Sequence, residues 1–167
     1  MCGGYTRLFG GVGVGSRQNG IGNEEIIRGD TNHVIGAMII TGFGWREDNA
    51  VHVSVDGGET VFGRFPQGCD TAVETLANLF SSAGMRALAS PTVRSTVWSK
   101  AFYSCSPTPL GAVMACSDGA LLKAPAWNMI AEIVHEEYAV SKPEGGAVPT
   151  QGLREYMAVR YMETHPP

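Results

Sequence analysis

The 167-residue chain holds no Cys-x-x-Cys pair. Its four cysteines, Cys2, Cys69, Cys105 and Cys116, are scattered, as are His33, His52, His135 and His165. Neither set has the spacing of a metal centre, so no metal site is expected. There is no basic run: 12 Lys and Arg stand against 16 Asp and Glu, a net charge of −4, which argues against nucleic acid as the main partner. No hydrophobic run is long enough for a bilayer. The longest, Val34 to Ile40, is far too short, and no membrane role is expected. The first residues have neither the charged nor the apolar region of a secretory signal. The expectation is therefore a cytoplasmic protein with reduced thiols.

What is present reads as a soluble globular chain of one domain or two small ones. Hydrophobic residues are 44% and charged residues 17%. Glycine is high at 22, and 16 of these lie before residue 69, which suits strand ends and turns better than a helical bundle. The run Gly10-Gly11-Val12-Gly13-Val14-Gly15 invites a dinucleotide-binding fingerprint, but Gly11-x-Gly13-x-x-Ser16 is the best spacing it offers. No strand of decent length precedes it and no helix follows it, so a flexible or misregistered segment is expected.

Further on, Asn23 to Arg28 reads as a short helix with Glu24 and Glu25 in its first turn. His33 to Thr41 reads as a strand. Val51, Val53 and Val55 alternate with His52 and Ser54, Asp56-Gly57-Gly58 reads as a turn, and Thr60 to Gly63 is expected to return as the hairpin partner. Thr71 and Glu74 suggest a capping box for a helix over 71–84, with Ala72, Leu76, Leu79 and Phe80 as its apolar stripe and Gly84 just past its end. Met85 to Ala89 is a plausible short strand, and Ser90-Pro91 opens a helix that Pro107 and Pro109 must kink or end. Ala124-Pro125 opens another, with Trp127, Ile130, Ala131, Val134 and Tyr138 on one face; Thr150 caps a last one carrying Leu153, Met157 and Tyr161.

Two places could carry chemistry. On one helix, Lys100, Ser104 and Thr108 are spaced i, i+4 and i+8, along one face. An ammonium followed by two hydroxyls could hold an oxo-acid, the ammonium polarising or protonating a carbonyl oxygen. The same pattern fits a surface lysine snorkelling past Trp98, and pattern alone favours that reading. Asn19, at the Asn-Gly turn before a helix, offers a donor and an acceptor that could meet a carboxamide. It equally fits a turn residue chosen for left-handed dihedrals, and alone that reading is the better one.

Taken in order, Gln18-Asn19-Gly20-Ile21-Gly22-Asn23-Glu24-Glu25, Gly36 opening a strand, Thr60-Val61-Phe62-Gly63, Trp98-Ser99-Lys100 and Pro109-Leu110-Gly111-Ala112 resemble the 2-dehydropantoate 2-reductase (ketopantoate reductase) family, from about Arg17 to about Tyr161. The resemblance implies an α+β fold: residues 1–90 as the end of a Rossmann-like NADP-binding domain and 91–167 as the first part of an all-helical domain. It implies reduction of a 2-oxo acid, typically ketopantoate on the way to pantothenate, by NADPH. Lys100 matches the family's catalytic lysine, Asn19 the asparagine that meets both cofactor and substrate, and Gly42 a backbone contact to the cofactor. Ser104 and Thr108 stand where well-known members carry two substrate-binding asparagines, which leaves another 2-oxo acid open as substrate.

The family's phosphate-binding turn belongs well before Asn19, and a serine and a glutamate of its substrate site belong past Pro167. The chain is therefore expected to be a truncated form that binds NADPH weakly or not at all. Exposed apolar helix faces at 125–142 and 150–164 would favour a homodimer. The alternative is a catalytically inactive fragment or degenerate paralogue acting as a dimerisation or interaction module.

Overall fold

The computed structural model describes residues 12–46, 49–55, 58–116, 118–123 and 125–142. The expected helix from Thr150 and the glycines at 10 and 11 lie outside them. The chain divides into two compact units, Met1–Ile40 with Gly58–Val97, and Thr41–Gly57 with Trp98–Pro167.

The first unit is built on a four-stranded sheet in the order β1 (Val14–Ser16), β2 (Val34–Met38), β5 (Thr60–Arg64), β6 (Ala87–Ala89). β1 runs parallel to β2 with Val14 beside Val34, β2 is antiparallel to β5, and β5 is parallel to β6. The segment around Val14 is thus an edge strand, not a misregistered stretch: its amides complete the edge of β2. β2 is buried at every position, as befits a strand covered on both faces.

On one face Ile35, Ala37 and Phe62 pack against Val73 and Ala77 of α2 (Thr71–Ser82). The expected capping box is displaced by one residue. Asp70 caps α2, its carboxylate accepting the N–H groups of Ala72 and Val73 at 3.1 Å each. The buried stripe shifts with it to Val73 and Ala77, flanked by half-buried Leu76 and Phe80, while Ala72 and Leu79 face solvent. Phe80 packs edge-on to Phe62, centroids 4.8 Å apart, so the sheet selects the stripe that meets Phe62. Gly84, at φ +85°, ends the helix as expected.

The other face carries Gly36 and Gly63, directly paired between β2 and β5. A Cβ on Gly36 would meet Val93 and the Glu24 side chain; one on Gly63 would lie 2.4 Å from the Ser90 carbonyl oxygen. The glycines therefore admit α1 (Asn23–Arg28) and the first turn of α3 (Val93–Cys105) close to the sheet. Arg94 ties the two helices, pairing with Glu25 at 2.9 Å and lying over Phe65, 5.3 Å from its centroid.

The hairpin expectation is overturned. β4 (Ala50–Val55) pairs with β3 (Gly42–Arg46), a strand that its glycines hid, and Thr60 to Gly63 joins the main sheet instead. The physical reason is burial. Thr60, Val61, Phe62 and Gly63 are all buried, a central-strand pattern, whereas β4 alternates on an exposed ribbon. In that ribbon Phe43 faces Val53 and Trp45 faces Val51.

The helical part of the second unit packs Trp98 and Phe102 of α3, Leu110 of α4 (Pro107–Met114) and Trp127, Ile130 and Val134 of α6 (Ala126–Ser141), with Leu121 from the short α5 (Asp118–Leu121). The stripe expected for α6 holds, with Ala131 and Tyr138 half-buried. α3 stops at Cys105, and Pro107 begins α4, as a ring without an N–H must. Ser106 bridges the break; its hydroxyl donates to the Phe102 carbonyl at 2.6 Å. Among the described residues no helix is long and apolar enough to cross a membrane.

Candidate functional site

Asn19 follows the carboxyl end of β1, the end of parallel strands where open α/β sheets present ligands. Gly20 and Gly22 take φ of +97° and +102°, conformations that favour glycine, and turn the chain from β1 into α1. The Asn23 side chain donates to the Asn19 carbonyl oxygen at 3.3 Å, holding the turn, and leaves Asn19 itself exposed. An exposed primary amide on a braced turn can donate to one group and accept from another.

Gly42 opens β3 beside an irregularity of register between Gly42 and Phe43. It is half-buried. It belongs to the second unit, as do Lys100, Ser104 and Thr108, whereas Asn19 belongs to the first.

Lys100 and Ser104 lie one turn apart on α3, both half-buried. Burial lowers the Lys100 ammonium below the ordinary lysine range, because a charged group loses hydration there. Lys100 is thus not a fully hydrated surface lysine. Thr108 does not continue the stripe. The helix ends before it, and it sits exposed near the start of α4. The i+8 relation assumed one unbroken helix, which Pro107 forbids.

One group escaped the sequence reading. Glu137 of α6 has both carboxyl oxygens covered and without a hydrogen-bond partner, and burial pushes its acid up to about 7. The signal was legible: Ile130, Val134, Glu137 and Ser141 lie on one stripe of α6, with a carboxylate among apolar residues. Among the described residues no group of three metal-ligating side chains forms.

The family model described as ketopantoate reductase PanE/ApbA matches residues 8–67, and that described as ketopantoate reductase PanE/ApbA C terminal matches 92–167. A 2-dehydropantoate 2-reductase from Archaeoglobus fulgidus is 30% identical over 125 residues, covering 74% of this chain and 42% of the relative. The chain thus spans less than half the length of that relative. The crystal structure of 2-dehydropantoate 2-reductase from Geobacter metallireducens superposes with a TM-score of 0.83 at 22% identity, over 98% of this chain and 57% of that one. D-mandelate dehydrogenase in complex with NADH superposes with a TM-score of 0.78 at 20% identity, over 93% and 52%. These two likenesses show the fold: Rossmann-like strands and helices leading into a helical part. Matched by both models of a single family along most of its length, the chain belongs to the ketopantoate reductase family.

Proposed function

We propose that the protein carrying this chain reduces a 2-oxo acid to a 2-hydroxy acid with NADPH, 2-dehydropantoate being the first candidate substrate. The observation that carries this reading is Lys100, an ammonium half-buried one turn from Ser104 and made readier to release its proton by loss of hydration. When bound, the reduced nicotinamide supplies a hydride to the carbonyl carbon. Lys100 gives a proton to the carbonyl oxygen as negative charge develops there, and water restores that proton afterwards. Ser104 orients the acid, its hydroxyl being shorter than an asparagine amide, which favours a different or bulkier 2-oxo acid as an alternative substrate. Asn19 holds the carboxamide and a substrate group, and Gly42 offers its backbone to the cofactor. The braced, exposed amide of Asn19 at the end of β1 suits that group. In this reading residues 1–90 belong to the cofactor-binding domain and 91–167 to the helical domain, and the protein works in the cytoplasm. NADPH consumption with a panel of 2-oxo acids tests the reading, using the longest expressed form that contains these residues. No consumption of NADPH by a form longer than these 167 residues, with any of the 2-oxo acids, refutes it.

We propose further that the 167-residue polypeptide by itself holds NADPH weakly and is inactive, since it spans 42% of the A. fulgidus relative. Isothermal titration showing micromolar binding would contradict this. A second reading, that the chain acts as a homodimerisation module, is favoured by the β3–β4 ribbon, where Phe43, Trp45, Val51 and Val53 share one face and are all exposed, Trp45 to 77%. Sedimentation of the chain and of its Trp45→Ser form decides it; a monomer at all concentrations removes the reading.

A further inference from the structure

Glu137 has no place in the proposed reaction, yet it sits where a carboxylate is least comfortable. Both of its oxygens are covered by protein and neither has a hydrogen-bond partner. Its neighbours one turn away on α6, Ile133, Val134, Val140 and Ser141, carry no charge, and the Ser141 hydroxyl is engaged with the Tyr138 carbonyl. On α3, the charge of Glu137 reaches Cys105, an exposed cysteine whose thiol is pushed up by partial burial first and by Glu137 second. The cation of α3, Lys100, is itself lowered by burial. The exposed charges beside Glu137 on α6, His135, Glu136 and Lys142, lie at positions of the helix that face solvent. An acid covered in this way is tolerated when neutral and strains its packing when ionised.

We propose that Glu137 is a proton-operated latch of the helical unit: with its carboxyl protonated α6 stays docked against α3, and ionisation of that carboxyl loosens the docking. The contact is placed to matter. It follows the apolar stripe of Ile130 and Val134, which packs with Trp98 and Phe102 of α3, and its charge reaches Cys105 in the last turn of that helix. Burial pushes the acid up to about 7, so the latch works close to neutral pH. The latch does not depend on the reductase reading.

The test is hydrogen exchange of the full 167-residue chain, corrected for intrinsic rates, at about pH 5.5 and about pH 8.5, on either side of the latch. In wild type, protection of α6 should fall by roughly tenfold at the higher pH while that of α2 stays constant. In Glu137→Gln, which keeps the shape and removes the charge, α6 should be equally protected at both. Equal falls in wild type and Glu137→Gln overturn the proposal, and so does an α6 whose protection in wild type ignores pH. That second outcome needs no variant, so the proposal stays testable even should Glu137→Gln fail to fold.

Discussion

Adding a single methyl at Gly63 tests the account of how α3 is seated. An ideal Cβ there lies 2.4 Å from the Ser90 carbonyl oxygen, 2.6 Å from Val93 Cβ and 2.9 Å from Val93 Cγ1. Ordinary contact needs about 3.5 Å, so a gap of roughly 1 Å must open, and the nearest obstacle is backbone rather than a pliable side chain. Overpacking of this kind costs about 1–3 kcal/mol, and the backbone clash puts Gly63→Ala at the upper end. Loss of unfolded-state freedom on replacing glycine returns about 0.5 kcal/mol, leaving a net destabilisation of about 2 kcal/mol. Gly36, its direct partner across the strands, is the control. A Cβ there is 3.3 Å from Val93 Cγ1, a side chain that must give by only a few tenths of an ångström. Gly36→Ala should therefore change stability by less than about 1 kcal/mol. In thermal unfolding followed by circular dichroism, Gly63→Ala should lower Tm by about 4–8 °C and Gly36→Ala by at most half of that. A Gly63→Ala protein with unchanged Tm, or one less affected than Gly36→Ala, would show that α3 does not rest on the sheet through this pair.

Two further outcomes are expected. Asp70 caps α2 and meets Arg64 at 2.7 Å; that hydrogen bond first, and the Val73 N–H next, hold its carboxyl below the usual range. A lowered acid adds stability that is fully present above its unfolded value and is lost as pH falls through the folded one. Wild type should therefore lose Tm on acidification below about pH 4 more steeply than Asp70→Asn, and parallel slopes would remove Asp70 from the acid limb. Phe102 is completely buried among the helices of the second unit, so Phe102→Ala should destabilise by about 3–5 kcal/mol in urea unfolding; a loss below about 1 kcal/mol would mean that core is not formed as described.

How much of this was legible beforehand depended on whether a signal was local. α6 follows from its own period, because the partner helices accept one stripe and the sequence offers only one. α2 offers two overlapping stripes, and the choice falls to Phe62, a β5 residue outside any pattern within the helix. The ribbon was misassigned because Val51-His52-Val53 names a strand but not its partner. Gly42 and Gly44 erased the alternation of β3, and only burial on both faces distinguishes Thr60 to Gly63 as a central strand. For the candidate site, the one-turn spacing of Lys100 and Ser104 survived, while Thr108 fell off the stripe at Pro107, a break that the proline itself announced. Whether Lys100 was buried or snorkelling could not be read from α3, whose own pattern is barely amphipathic; that is decided by what packs around it.

The central claim is that Lys100 gives the proton in 2-oxo acid reduction. The most direct measurement is steady-state NADPH oxidation by the longest expressed form containing these residues, comparing wild type, Lys100→Ala and Lys100→Arg. The account predicts that kcat falls by about 10²–10⁴ in Lys100→Ala, while the Tm and the nucleotide affinity stay near those of wild type. A Lys100→Ala protein that turns over 2-oxo acids at the wild-type rate would contradict it.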